Sequence, residues 1–237
     1  MKRVGIRFAC LAGLLLLAAP GIAAVGLMPH SAEYKVKISV LSGRLTTNLA
    51  ASETGYSATH QIVPTGMARM FSKGRIVETA GFGAGADGVL PGTFVSSDSL
   101  SSDKTEADLA FDWSTGAVVG TVNGQAVEEV IGDLAHDRVS IQYQLMHDLA
   151  NGGLGDTYVL FDIDEFKVLN VTNIGAREIK VPAGKYTAIG IQHQAEGSSR
   201  VTTLWCVEEL GYLPVIIEQH RKGKLRMRAK LRSYTEN

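Results

Sequence analysis

Five cations at period two form the most chemically suggestive pattern in this chain: Lys224, Arg226, Arg228, Lys230 and Arg232 alternate with Leu225, Met227, Ala229 and Leu231. On an extended strand successive side chains point to opposite faces, so this spacing predicts a strand with the cations on one face and the apolar residues on the core face. Arg221 and Lys222 prolong the strip. Guanidinium forks and ammonium groups match phosphate and carboxylate oxygens, which makes the five residues a candidate anion-docking face. Its partner would be an anionic envelope lipid, such as phospholipid headgroups or lipopolysaccharide phosphates, or a polyanionic glycan. The plainer alternative is a solvated strand face, neutralised by acidic side chains on the adjacent strand or guarding a sheet edge.

The other candidate chemistries fail on spacing or context. Gly83 to Gly88 spells G-x-G-x-x-G, but a dinucleotide fingerprint needs a helix directly after it, and Val89-Leu90-Pro91-Gly92-Thr93-Phe94 reads as extended chain. The histidines at 30, 60, 136, 147, 193 and 220 form no H-E-x-x-H and have no C-x-x-C beside them, so a zinc site is not expected. His193 and His220 could meet across strands, yet satisfied surface or sheet histidines are the favoured reading. No G-x-S-x-G elbow supplies a serine nucleophile, and Ser140 falls inside a helical pattern. Cys206, between Trp205 and Val207, reads as a small buried hydrophobe. Asp162-Ile163-Asp164-Glu165 reads as a charged, solvated turn, and Asp108 and Asp112 as outward-facing strand residues. No catalytic, metal-binding or cofactor-binding residue is assigned. The reading leans away from an enzyme.

The elements that must position these residues are mostly strands. Short β-rich segments at about 32–41, 44–52, 56–62, 74–80, 89–97, 106–112, 117–122, 156–162, 165–173, 185–195, 200–206, 214–220 and 224–233 are separated by turn signals. Glu53-Thr54-Gly55, Ser114-Thr115-Gly116, Asn123-Gly124, Pro182-Ala183-Gly184 and Lys222-Gly223 are the tight reversals, with Gly expected at positive φ. One segment differs. From about 137 to 151, Val139, Ile141, Tyr143, Leu145, Met146, Leu149 and Ala150 fall on one side of a helix, with Asp137 as N-cap and Gly152 as stop. Its other side carries Ser140, Gln144, His147 and Asp148, which predicts a surface helix with one buried flank. Such a helix among strands would plug or cover an open barrel or curved sheet.

The start of the chain predicts export. Lys2, Arg3 and Arg7 precede an apolar run from Phe8 to Ala19, then Pro20 and small residues, which is the pattern of a signal peptide over 1–24 cleaved between about residues 23 and 26. Cys10 sits before the apolar run, the wrong order for a lipoprotein. Removal of the leader leaves Cys206 alone, so no intramolecular disulfide can form. The remainder, 25–237, suits a single β-rich periplasmic or secreted domain, and no later apolar run reaches the 18 residues of a membrane helix. Charge nearly cancels, 23 Lys+Arg against 24 Asp+Glu, which argues against nucleic acid as a partner.

Several short motifs recur in a fixed order: Tyr34-Lys35-Val36, Thr65-Gly66-Met67-Ala68, Gly88-Val89-Leu90-Pro91, Phe111-Asp112-Trp113, Asp137 with Ser140 and Tyr143-Gln144-Leu145, Pro182-Ala183-Gly184-Lys185-Tyr186, Thr203-Leu204-Trp205 and Tyr212-Leu213-Pro214-Val215. In these the chain resembles the bacterial exported domain-of-unknown-function 3108 family over nearly its whole mature length. The resemblance implies a β-rich, envelope-associated domain and supplies no catalytic residues.

The expected fold is thus mainly β, a curved antiparallel sheet or partial barrel with one amphipathic helix. The favoured function is non-enzymatic binding of a lipid-like or glycan ligand or an envelope partner. A hydrolase acting on an envelope polysaccharide through a carboxylate pair, and an envelope structural or assembly factor, stay open beside it.

Overall fold

A computed structural model of the chain describes residues 26–101 and 104–237. The expected signal peptide, 1–24, lies outside the described residues. From the N-terminal side come β1 (His30–Ile38), β2 (Leu41–Ser52), β3 (Gly55–Thr65), a one-turn helix α1 (Ala68–Phe71), β4 (Ile76–Gly85), β5 (Gly88–Asp98), β6 (Thr105–Asp112), β7 (Ala117–Val122) and β8 (Gln125–Val130). Then β9 (Ala135–His136) leads into α2 (Ser140–Asn151), followed by β10 (Thr157–Phe161), β11 (Phe166–Val181), β12 (Gly184–Ala195), β13 (Arg200–Val207), β14 (Leu213–Arg221) and β15 (Lys224–Glu236). Each half is a meander, and β15 pairs antiparallel with β1 to join them into one 15-stranded sheet with β8 and β9 at its edges. Among the described residues only the short β9 runs parallel to its neighbour, β10.

The antiparallel, curved sheet agrees with the sequence pattern, and so do most of its turns. Asn123-Gly124 and Lys222-Gly223 each place two successive residues at positive φ, the geometry a two-residue hairpin needs. Gly184 differs from expectation. It is not at positive φ; instead a Cβ there would lie 2.9 Å from the Tyr186 hydroxyl. Two strands, β8 and β9, carry too few apolar residues to signal themselves, and β11 runs eight residues past its expected end at 173. Its extension 174–178 is exposed and polar apart from Ile174 and Ala176, so no apolar alternation marks it.

The helix is where burial departs most from expectation. Ser140, Gln144 and His147, read as its solvent side, are 0 %, 5 % and 4 % exposed. The sheet curls around α2, so its apolar residues meet walls on two sides: Tyr143 and Met146 join the main core, while Leu145 packs with Val171, Ile191, Leu204 and Cys206. Its polar side is buried because every group finds a partner. Gln144 Oε1 accepts from the Val89 N–H at 2.6 Å, Gln144 Nε2 donates to Asp148 Oδ1 at 2.7 Å, the Tyr158 hydroxyl donates to Asp148 Oδ2 at 2.6 Å, and His147 Nε2 donates to the Gly85 carbonyl at 3.0 Å. Unpaired, such groups would each cost about 1–3 kcal/mol.

The glycine-rich run read as a connection between strands is the β4–β5 hairpin against which α2 docks. Gly88 has φ +111°, and a Cβ there would fall 2.6 Å from Gln144 Oε1. The helix begins three residues later than expected, yet Asp137 does cap it: its Oδ1 accepts from the Val139 and Ser140 N–H groups, while Ser140 Oγ accepts from the Asp137 N–H. Gly152, at φ +69°, ends it as predicted.

Candidate functional site

The five-cation strip lies on β15, in the middle of the sheet between β14 and β1, and so does not guard an edge. Ala229 and Leu231 are buried and Met227 is half-buried, in line with the alternation, but Leu225 is 43 % exposed. The strict period fails twice. Register shifts between Gln219 and His220 and between Glu33 and Tyr34 leave Arg226 and Arg232 without a directly opposed residue, since a bulge inserts one extra residue into the ladder.

Acidic neighbours neutralise part of the strip. Arg228 Nε lies 2.5 Å from Glu218 Oε1 on β14, directly opposite it, and Arg232 lies 3.3 Å from Glu33 on β1. Among the described residues, Lys224, Arg226 and Lys230 form no ion pair. Sequence reasoning also missed three cations on the same face. In register, Arg44 on β2 stands opposite Lys35 on β1, and Lys35 opposite Lys230 on β15, so three positive side chains line up across three strands; Lys37 likewise faces Arg228. Like charges directly opposed destabilise a sheet, and within the row Arg44–Lys35–Lys230 only Arg44 has an acid in reach among the described residues, Glu33 at 3.7 Å. The alternation Lys35-Val36-Lys37 was the available signal; the pairing of β1 with β15, about two hundred residues apart, was not.

Other places where chemistry could reside are accounted for structurally. Among the described residues two carboxyls are pushed above their ordinary range by burial, Glu78 and Asp137. Asp137 is 1 % exposed and caps α2, and Glu78 lies 3.5 Å from Arg138. Asp162, read as part of a solvated turn, is half-buried and held by Arg138 and by Lys167, the latter at 2.5 Å. Asp112 is the turn acceptor for the Ser114 and Thr115 side chains and N–H groups, which draw its carboxyl down to about 2. An open groove of about 850 Å³ is lined by Glu178, Lys180, Lys185, Tyr186, Glu208 and Glu209 among others, and its three carboxylates are exposed.

The histidines also differ from the sequence reading, because His30, His136 and His147 are interior groups. Burial lowers His60, His136 and His193 to about 4, which keeps them neutral. His60 Nε2 and the Tyr143 hydroxyl are 3.3 Å apart, and Tyr143 stacks on Phe82 with ring centroids 5.3 Å apart. His193 opposes Thr202, whose other neighbour is Gln219, so His220 is one residue out of step and points to the opposite face. Among the described residues no three His, Cys, Asp or Glu side chains gather as a metal site. Cys206 is 1 % exposed and burial pushes its thiol up to about 12, the behaviour of a buried hydrophobe.

Among the described residues the centre of the core is closely packed: Tyr34, Leu49, Phe94, Leu109, Tyr143, Phe161 and Leu231 each show under 2 % of their surface, whereas walls of a ligand-sized cavity would keep accessible area. A small pocket of about 190 Å³ lies beside α2, lined by Leu27, Met146, Ala150 and Tyr212 among others.

The chain is similar to solved structures. A beta-barrel-like protein of domain of unknown function DUF1849 from Brucella abortus superposes with a TM-score of 0.62 at 15 % identity, covering 90 % of this chain and 99 % of that one. A Bacteroides fragilis protein described as having a YmcC-like fold gives a TM-score of 0.33 at 10 % identity, over 90 % of this chain and 99 % of that one. No curated protein matches the sequence. The family model for proteins of unknown function DUF3108 matches residues 31–230.

Proposed function

This chain belongs to the DUF3108 family, and we propose that it is an exported, non-enzymatic β-domain of the cell envelope whose outer face on β2, β1 and β15 docks on a phosphate- or carboxylate-bearing envelope component. The row Arg44–Lys35–Lys230 carries this reading. Opposed like charges cost stability in the free protein, and a bound anion converts that repulsion into attraction. Arg226, Arg228 and Arg232 extend the face along β15, although Arg228 and Arg232 are committed in part to Glu218 and Glu33, and the bulge at Arg226 sets Lys224 opposite Arg221, on the other face. Export rests on Lys2, Arg3 and Arg7 ahead of the apolar run from Phe8.

The packed interior favours an outer surface over an enclosed lipid-like ligand. A polysaccharide hydrolase needs one carboxyl kept protonated within reach of substrate, and the two raised carboxyls, Glu78 and Asp137, are enclosed in an ion pair and a helix cap.

The test is Lys35→Gln, Arg226→Gln and Lys230→Gln combined in the mature chain, which leaves the Arg228–Glu218 pair intact. Expected are an unchanged or higher melting temperature, weaker retention on immobilised dextran sulfate, and wild-type binding that falls as salt shortens the screening length to below about 8 Å. Equal retention of wild type and triple variant at low salt would leave a solvated strand face and overturn the proposal.

A further inference from the structure

We propose that the anionic component is a phospholipid bilayer, and that the end of the sheet formed by the β1–β2, β3–β4 and β14–β15 connections enters it. This rests on the anion-docking reading and names its partner. Strand direction sets these three connections at the same end, while both His30 and Glu236 lie at the other. They are also neighbours. The strands they join stand in the unbroken order β14-β15-β1-β2-β3-β4, a front of about 24 Å at about 4.8 Å per strand.

On two of the three connections, β1–β2 and β3–β4, the outermost side chains are apolar and bare, and the third, β14–β15, turns on Lys222-Gly223. Val40 is 92 % exposed at the β1–β2 tip, and Met67, Met70 and Phe71 are 75 %, 82 % and 76 % exposed around α1. Ile38, Leu41 and Leu225 flank them at 48 %, 45 % and 43 %. Scattered exposed apolar residues are ordinary in soluble proteins, but a contiguous group at neighbouring tips marks an interaction surface.

Charge selects the partner. Segments 34–44, 63–77 and 219–228, which make up this front and the strand stretches behind it, contain three, three and five cations and not one Asp or Glu, with Arg44 and Arg228 paired to Glu33 and Glu218 on the neighbouring strands. The chain as a whole is close to neutral, so the asymmetry is local. The layering matches a membrane surface. The apolar β1–β2 and β3–β4 tips lead, Lys222 stands at the hairpin tip beside them, and Arg69, Lys73, Lys37, Lys224 and Arg226 follow within a few residues, as hydrocarbon lies beneath a layer of headgroup phosphates. A polyanionic glycan would engage the cations and leave Val40, Met70 and Phe71 in water. No helix among the described residues is long and apolar enough to cross a membrane, and this geometry calls only for shallow insertion.

The experiment uses the mature chain, vesicles of phosphatidylethanolamine with phosphatidylglycerol, neutral phosphatidylcholine vesicles, and dextran sulfate as a polyanion without hydrocarbon. Wild type should float with the anionic vesicles and far less with the neutral ones. Val40→Ser, Met70→Ser and Phe71→Ser combined should reduce vesicle partitioning at least tenfold while leaving dextran sulfate retention and melting temperature unchanged. Phe71→Trp should report entry directly: relative to wild type, its added indole emission should shift to the blue on anionic vesicles and be quenched by brominated acyl chains. Retention on dextran sulfate with no vesicle binding, or an added indole emission unmoved by vesicles, overturns insertion and leaves anion docking standing. Binding to neither probe overturns both. Loss of a concentration-dependent dimer in the serine variant, with vesicle binding intact, would assign the tips to a second copy of the chain and overturn the membrane assignment.

Discussion

Trp205 is buried, as its residue type predicts, yet on the face of its strand turned away from the helix. It joins the main apolar cluster with 6 % of its surface exposed. Leu204 and Cys206 are the residues that meet Leu145 of α2, so strand alternation directs Trp205 to the other side. There the Arg177 guanidinium lies 3.7 Å from its ring centroid, and Gly190 gives it room: a Cβ on Gly190 would stand 2.8 Å from the indole and 2.6 Å from Ile174. Trp205→Ala should therefore destabilise by about 3–5 kcal/mol as a large buried truncation. Gly190→Ala should cost about 1–3 kcal/mol by overpacking and less in the Trp205→Ala background. Thermal melts of the two single variants and the double variant check this. An unchanged melting temperature for Trp205→Ala, with loss of anion binding, would instead make Trp205 part of the docking site.

Among the elements, α2 is the one whose surroundings were least legible. Its apolar spacing and its two stops, Asp137 and Gly152, are local properties and could be read directly. Burial of Gln144 and His147 and half-burial of Asp148 could not, because their partners sit on the β4–β5 hairpin and on Tyr158, outside the helix's own sequence. Asp137 combines the two situations. Its Oδ1 caps the helix, its Oδ2 is buried without a partner, and burial raises its pKa, so the carboxylate charge contributes nothing that an amide would lose. Asp137→Ala should cost about 1–2 kcal/mol by leaving the Val139 and Ser140 N–H groups unmet. Asp137→Asn should stay within about 0.5 kcal/mol of wild type, since Asn caps as well as Asp. Urea titrations separate the two, and equal losses would refute the capping role.

For the whole molecule, the curled sheet leaves histidines inside as neutral groups, and this fixes a pH response. His60, His136 and His193 hold at about 4 when folded, against about 6.5 in an unfolded chain, because burial penalises the charged ring. The unfolded chain binds more protons between these values. Stability is therefore full above about pH 6.5, falls as pH drops toward 4, and levels off below, with a slope of about 1.4 kcal/mol per pH unit for each histidine. Glu78 and Asp137 act in the opposite sense within the carboxylate range, so the effect is cleanest from about pH 6.5 to 5. Melting temperatures measured from pH 7.5 to 5 should decline, and His60→Gln should flatten the curve. A flat wild-type profile would show that these rings are already charged or free in the folded protein.

Residues close together along the chain specify the leader pattern, the antiparallel strands, the helix with its caps, the tight hairpins and the five alternating cations. All of these follow from side-chain period and turn chemistry, which act over a few positions and are visible without a fold. The pairing of β15 with β1, and with it the row Arg44–Lys35–Lys230, exists only once the two meanders meet. The same closure puts the helix inside the curled sheet, packs the core around it and brings three neighbouring connections, two of them apolar at the tip, to one end. Strand neighbours so far apart in sequence are chosen by how the whole sheet closes over its core, and no local pattern of residues carries that information.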